Sequence, residues 1–237
     1  MARLDTIKSK LEALRNLDKR FVIFGATTHQ YKMRNTLSVE EIQTIEKEND
    51  ITIPEEYKEF LLHLGCAGAG CGEEGLLTPH IREVGVITEM DVLGESEITL
   101  KSIDMHISRL TGSSKYIRLF DYGSGIETTL VLNGKEAGKL VTYDAEGRFR
   151  IEEAGFLDTY EFWLDSSLLA LNFVKEKLKN LPYEEIEIDR KDVGYYFPDV
   201  LMYSIMDVDF PRLGTHTEEH ETYMKNAQKQ WLATLSS

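Results

Sequence analysis

One stretch of the sequence, Leu37 to Gly72, constrains the fold more than any other, because its signals for helices and turns agree with one another. Ser38 is followed three residues later by Glu41, which is the spacing of a capping box at a helix start. Pro54 is predicted to occupy the first position of a second helix, and Gly65 is typical of a helix end. The stretch therefore predicts two amphipathic helices, joined by a short extended link and followed by a glycine loop.

The flanking sequence predicts further helices. Apolar residues spaced three and four apart predict an amphipathic helix over Ala2–Lys19, and the compact apolar run Arg20–Gly25 predicts a buried strand or extended segment. After the glycine loop, one short strand is expected within Leu76–Val92, and Glu97–Leu110 has the spacing of a helix. A long closing helix is predicted over Phe156–Asn180.

Between these last two helices the hydrophobic period changes from helical to two, which predicts an antiparallel β-meander. The runs are Tyr116–Phe120, Thr128–Asn133 and Lys139–Tyr143, with Phe149–Ile151 as a fourth candidate. The fold class is therefore α+β, with N-terminal helices, a central antiparallel β-meander, and a C-terminal helix plus an α/β extension. The chain divides into an N-terminal helix and strand (1–36), a central domain (37–181) and an acidic, aromatic-rich extension packed on that domain (182–237).

The helix pair resembles the SUKH superfamily, specifically its Smi/Knr type of bacterial immunity proteins and fungal cell-wall regulators. The residues that carry the resemblance are Ile45, Glu46, Ile51, Ile53, Pro54, Tyr57, Phe60, Leu61 and Gly65. The resemblance implies a central α+β domain in which these residues are structural. It also implies a protein without catalytic activity that binds and neutralises a toxin.

Composition narrows the class of function. The 237 residues are 42% hydrophobic, enough for a full core, and no apolar run approaches the roughly 18 residues of a membrane span. The N-terminus lacks the apolar core of a signal peptide, and two cysteines in a chain of this length suit a reducing compartment. We therefore expect a cytoplasmic protein with no membrane partner.

The charge distribution points to a basic protein partner. A net charge of −14 argues against binding to nucleic acid, because phosphate recognition needs a basic surface. This charge is distributed unevenly along the chain: the net charge is +5 over Met1–Arg34 and −8 over Pro182–Glu221. We expect the partner-binding residues in the acidic segment, where carboxylates alternate with aromatic side chains. They are Glu184, Glu185, Glu187, Asp189, Asp192, Tyr195, Tyr196 and Asp199.

Two histidine clusters could be interpreted as metal sites. His63, Cys66, Cys71 and His80 offer four ligands in order, but their spacing matches no standard zinc motif. The stretch from His216 to His220 fits the inverted zinc-protease pattern H-x-x-E-H, yet a catalytic site would need a third protein ligand. Neither cluster leads us to predict a bound metal or cofactor.

The remaining motif, Asp121–Gly125, lacks the lysine and the following helix of a phosphate loop and is interpreted as a hairpin turn. We therefore expect no catalytic residue. The sequence predicts an immunity protein that binds a cognate, basic, nuclease-like toxin domain and blocks it by occlusion. Two alternatives are a regulatory scaffold that binds an endogenous protein and a metal-dependent hydrolase that uses one of the histidine clusters.

Overall fold

The computed structural model describes residues 2–19, 21, 23–86, 97–123, 125–144 and 148–178. Six helices and five strands lie within them. In chain order they are α1 (Ala2–Leu17), α2 (Ala26–His29), α3 (Val39–Asn49), α4 (Glu55–His63), β1 (Ile81–Glu83), α5 (Glu97–Thr111), β2 (Lys115–Asp121), β3 (Glu127–Val131), β4 (Leu140–Tyr143), β5 (Phe149–Ile151) and α6 (Phe156–Leu178).

The five strands form one antiparallel sheet in the order β1-β2-β3-β4-β5. Each strand pairs with its neighbour in sequence. From β2 to β5, the links between successive strands are short, because antiparallel strands need no crossover. The register pairs Ile117 with Leu130 and Thr128 with Thr142. The predicted α+β class and β-meander are confirmed, with β1 as the short strand expected before α5.

One face of the sheet shares a buried core with α1, α4 and α6, in which α1 and α4 each pack against α6. Alternate strand residues, including Ile117, Leu130 and Leu140, join the apolar stripes of these helices in one buried cluster. Phe156 of α6 stacks on Phe120 of β2, with ring centroids 6.4 Å apart. This face is therefore an apolar and aromatic core.

The opposite face of the sheet packs against α5. Ile103 and Ile107 of this helix join Tyr116, Val131 and Val141 in a second buried cluster. Because β3 contributes to both clusters, all five of its residues are buried. The sheet is thus a central layer with helices on both sides.

A buried carboxylate fixes α5 on this second face. Asp104, which is 1% exposed, accepts hydrogen bonds from Arg82 Nε at 2.9 Å and from the Tyr116 hydroxyl at 2.8 Å. It also accepts the backbone N–H of Gly85 at 2.8 Å. One side chain of α5 therefore connects the helix to β1, to β2 and to the turn that follows β1.

Two sequence predictions about local structure are wrong. The residues described between α1 and α2 form a turn rather than the strand predicted over Arg20–Gly25. The Asp18 carboxylate accepts hydrogen bonds from the Ile23 N–H at 3.1 Å and from the Tyr31 hydroxyl at 2.6 Å. These bonds hold both residues close to Asp18. Pro54 is the N-cap of α4 and not its first helical residue.

The C-terminal extension (182–237), predicted to pack on the domain, lies outside the described residues. Among the helices that are described, none combines the length and the apolar run that crossing a bilayer requires.

We predict that Asp104→Ala lowers the free energy of unfolding by about 3–5 kcal/mol, because it removes the buried carboxylate that accepts bonds from the Arg82 guanidinium, the Tyr116 hydroxyl and the Gly85 N–H. Chemical denaturation measured at neutral pH checks this value. Met105→Ala, at the exposed neighbouring position of α5, is the control and changes stability little. Equal losses in the two variants would show that Asp104 does not hold α5 on the sheet.

Candidate functional site

The first helix of the motif begins with a complete capping box. The Glu41 backbone N–H donates to Ser38 Oγ at 3.1 Å, and the Ser38 N–H donates to Glu41 Oε2 at 2.7 Å. These bonds satisfy backbone donors that have no partner within the helix. The start of α3 is therefore fixed although it lies at the surface.

Glu46 joins the two helices and their link. Its carboxylate accepts the Ile53 N–H at 2.8 Å and lies 2.9 Å from Lys58 Nζ of α4. Partial burial raises the pKa of Glu46, but the hydrogen bonds from Lys58 and Ile53 outweigh burial and hold the pKa below its ordinary value. Glu46 thus holds the two helices and their link together.

The apolar motif residues form the packing surface of the pair. Ile53, Tyr57, Phe60 and Leu61 are buried, and Ile45 is partly buried against them. The rings of Tyr57 and Phe60 each meet Phe156 of α6 edge to face, at 4.8 and 4.9 Å. Gly65 follows the helix, and its N–H donates to the Phe60 carbonyl at 3.2 Å. The apolar motif residues therefore pack in the core, and the outer surface of the helix pair is formed by other residues.

That outer surface is acidic. Residues 37–59 contain eight Asp and Glu against two Lys, a net charge of −6. On α3 only Ile42 is fully buried, so most of this helix faces water. Glu40, Glu48 and Asp50 are exposed and form no ion pair within the described part of the chain. We call residues 37–59 the acidic helix pair; the sequence analysis did not propose it as a binding surface.

The partner-binding residues proposed from sequence lie elsewhere. Glu184, Glu185, Glu187, Asp189, Asp192, Tyr195, Tyr196 and Asp199 all fall outside the described residues. Their role remains a prediction. The stretch from His216 to His220, for which the sequence predicts no metal, also lies outside the described residues.

The other candidate metal ligands do not converge. His63 is exposed at the end of α4, where its Nε2 lies 3.4 Å from Glu59 Oε2. Cys71 is buried, with its Sγ 3.4 Å from the Tyr122 hydroxyl, and burial raises the pKa of its thiol to about 12. No group of three or more His, Cys, Asp or Glu in the described residues could hold a metal ion. The thiol is protonated at neutral pH and is not an activated nucleophile.

A second buried ionic group lies on the sheet face covered by α5. Glu127, which is 2% exposed, pairs through both carboxylate oxygens with the Arg118 guanidinium and accepts the Tyr143 hydroxyl at 2.5 Å. Burial and the nearby Glu127 charge raise the pKa of Tyr143, so its hydroxyl remains a donor. Glu127, Arg118 and Tyr143 are hydrogen-bonded to one another, as are Asp104 and Arg82. Such bonding suits a structural role better than a catalytic one.

The loop at Asp121–Gly125 is the hairpin turn that the sequence predicts, since it connects β2 to β3. The Tyr122 N–H donates to the Ile126 carbonyl at 2.9 Å, and the Gly123 N–H donates to Asp121 Oδ1 at 2.8 Å.

We predict that Glu46→Gln lowers the free energy of unfolding by about 1 kcal/mol at pH 7. Since the folded pKa of Glu46 lies below the unfolded value of 4.5, the carboxylate stabilises the fold above that pH. This contribution disappears as the pH falls through the folded pKa. Urea unfolding at several pH values, with the exposed Glu48→Gln as control, should show a difference that vanishes in acid. A difference independent of pH would contradict the assignment.

Comparison with known proteins finds no family model, no curated protein and no solved structure that matches the chain. The resemblance to the SUKH superfamily therefore rests on the residues of the helix pair.

Proposed function

We propose that this chain is a cytoplasmic immunity protein of the SUKH type that binds a basic, nuclease-like toxin domain and neutralises it by occlusion. The single observation that carries the proposal is the acidic helix pair, a segment of net charge −6 on a buried motif, in which Glu40, Glu48 and Asp50 are exposed to water. Carboxylates on such a surface attract a basic partner and repel nucleic acid.

The rigidity of this surface supports a role in recognition. The capping box fixes the start of α3, and Glu46 ties its last turn to the link and to Lys58. A surface held in place before binding loses less conformational entropy in the complex. Exposed glutamates on α3 are therefore presented in a fixed arrangement rather than on a loop.

The interior supports binding rather than catalysis. In the described part of the chain, the buried carboxylates of Asp104 and Glu127 are each paired with an arginine and a tyrosine. A general acid or base must reach its substrate, and these groups are buried and engaged in hydrogen bonds. An occluding inhibitor needs no such group, because it acts through the area and charge of its surface.

We predict that Glu40→Lys combined with Glu48→Lys slows association with the toxin about tenfold at low ionic strength, since both changes reverse the steering charge. The association rate is measured by stopped flow with the cognate toxin domain. The control is Glu12→Lys with Glu153→Lys, which makes the same change in net charge at exposed sites outside the acidic helix pair. Equal rates in the two double variants would exclude the acidic helix pair as the steering surface.

The segment beyond Pro182 gives a separate prediction. Charge reversal at Glu184, Glu185, Glu187 and Asp189 should slow association and flatten its salt dependence if this segment also faces the toxin. An unchanged rate would place the interface elsewhere.

Neutralisation itself is tested by co-expression in a toxin-sensitive host. Wild-type protein should restore growth in proportion to its level, because occlusion consumes one inhibitor for each toxin. Rescue at levels far below that of the toxin would contradict stoichiometric binding. Capture of an endogenous protein that is not a toxin, with no rescue, would favour a regulatory scaffold.

A further inference from the structure

A pocket of about 240 Å³ lies outside the acidic helix pair, where three distant segments run side by side. Met33 pairs with Gly68, Gly68 pairs with Leu76, and Leu76 pairs with Phe120 of β2. These single antiparallel bridges extend the sheet beyond β2. The pocket lies along them, and we call it the glycine trough. Its lining residues are Thr28, His29, Lys32, Met33, Arg34, Ala67, Gly68, Glu74, Leu76, Leu77 and Thr78.

The trough exists because the middle segment has no side chain at Gly68. Met33 packs against the core, so its neighbours Lys32 and Arg34 project to the opposite, exposed side. A Cβ on Gly68 would lie 2.2 Å from the Lys32 carbonyl oxygen, and the φ of this residue is +118°. Both features exclude a larger residue here, so the floor of the trough remains backbone.

One wall of the trough carries two cations whose partners, within the described part of the chain, are neutral acceptors. Lys32 Nζ donates to Gln30 Oε1 at 2.9 Å, and Arg34 Nη1 donates to Thr78 Oγ1 at 3.1 Å. Neither forms an ion pair with a carboxylate among the described residues, although Glu74 lines the same pocket.

Several other cations of this chain are paired with carboxylates, although Arg15, Lys19 and Lys115 also bond to neutral acceptors. Arg3, Arg82 and Arg118 each pair with at least one carboxylate. A guanidinium has five N–H donors, and the bond to Thr78 uses one of them. Arg34 and Lys32 thus retain donors at the pocket, together with the hydroxyls of Thr28 and Thr78.

We propose that the glycine trough is a binding site for a small free oxyanion, the carboxylate or phosphate group of a low-molecular-weight ligand. Arg34 binds the oxyanion through its planar fork, which fits two oxygens at once, and Lys32 adds a second charge. The hydroxyls of Thr28 and Thr78 complete the set of donors. This site is separate from the acidic helix pair and does not depend on the proposed toxin.

The test is a titration of the full-length protein with inorganic phosphate, acetate and citrate, followed by calorimetry and by backbone amide NMR. We expect saturable binding of at least one probe, with shifts at Gly68 and Thr78. Lys32→Gln combined with Arg34→Gln should weaken it about tenfold or more, because two charge-assisted hydrogen bonds are lost. Both substituted side chains are exposed, so thermal melting should show that the variant folds.

Lys8→Gln with Arg109→Gln is the matched control. It also removes one lysine and one arginine at exposed positions, and it should bind like the wild type. Equal weakening in both variants, or binding that never saturates, would identify an adventitious ion only and overturn the proposal. Failure of all three probes to bind the wild-type protein would overturn it as well. Because no toxin is present, none of these outcomes bears on neutralisation.

Discussion

Burial of both faces of the sheet imposes the strictest condition on this structure. One face can be covered by apolar contacts alone, but the other contains Arg82, Arg118 and Glu127. A charge removed from water must be paired and hydrogen-bonded, or the cost exceeds what apolar burial nearby contributes. Asp104 satisfies this condition by accepting hydrogen bonds from three donors. Glu127 satisfies it through an arginine and a tyrosine. The bonds of Asp104, added to apolar contact, fix where α5 lies on the sheet.

The features that the sequence predicted well are those with local causes. The capping box, the apolar spacing of α4 and the turns of the meander each depend on residues close together in the chain, and all are found. Of the run Arg20–Gly25, the described residues Phe21 and Ile23 are at least partly buried without forming a strand. Asp18 accepts bonds from Ile23 and Tyr31, and this arrangement needs the residue just after the preceding helix, which periodicity cannot show.

The candidate sites were harder to predict, for two different reasons. The charge of the acidic helix pair, −6, follows from counting residues 37–59. The negative charge beyond Pro182 is larger, so the sequence favoured that segment as the binding surface. The glycine trough could not be found by counting. Lys32, Gly68 and Thr78 line one pocket because single bridges pair the segments that contain them. Nothing in the sequence specifies that pairing.

The capped helix α3 has the properties of a framework for variation. Its position depends on Ser38, Glu41, Ile42 and Glu46, whereas its outward residues support no described core contact. A library randomised at 40, 43, 44, 47 and 48 could therefore search many surface chemistries on an unchanged backbone, much as antibody loops vary on a constant sandwich. Such a scaffold would allow the outer surface of α3 to diverge rapidly while the protein continues to fold.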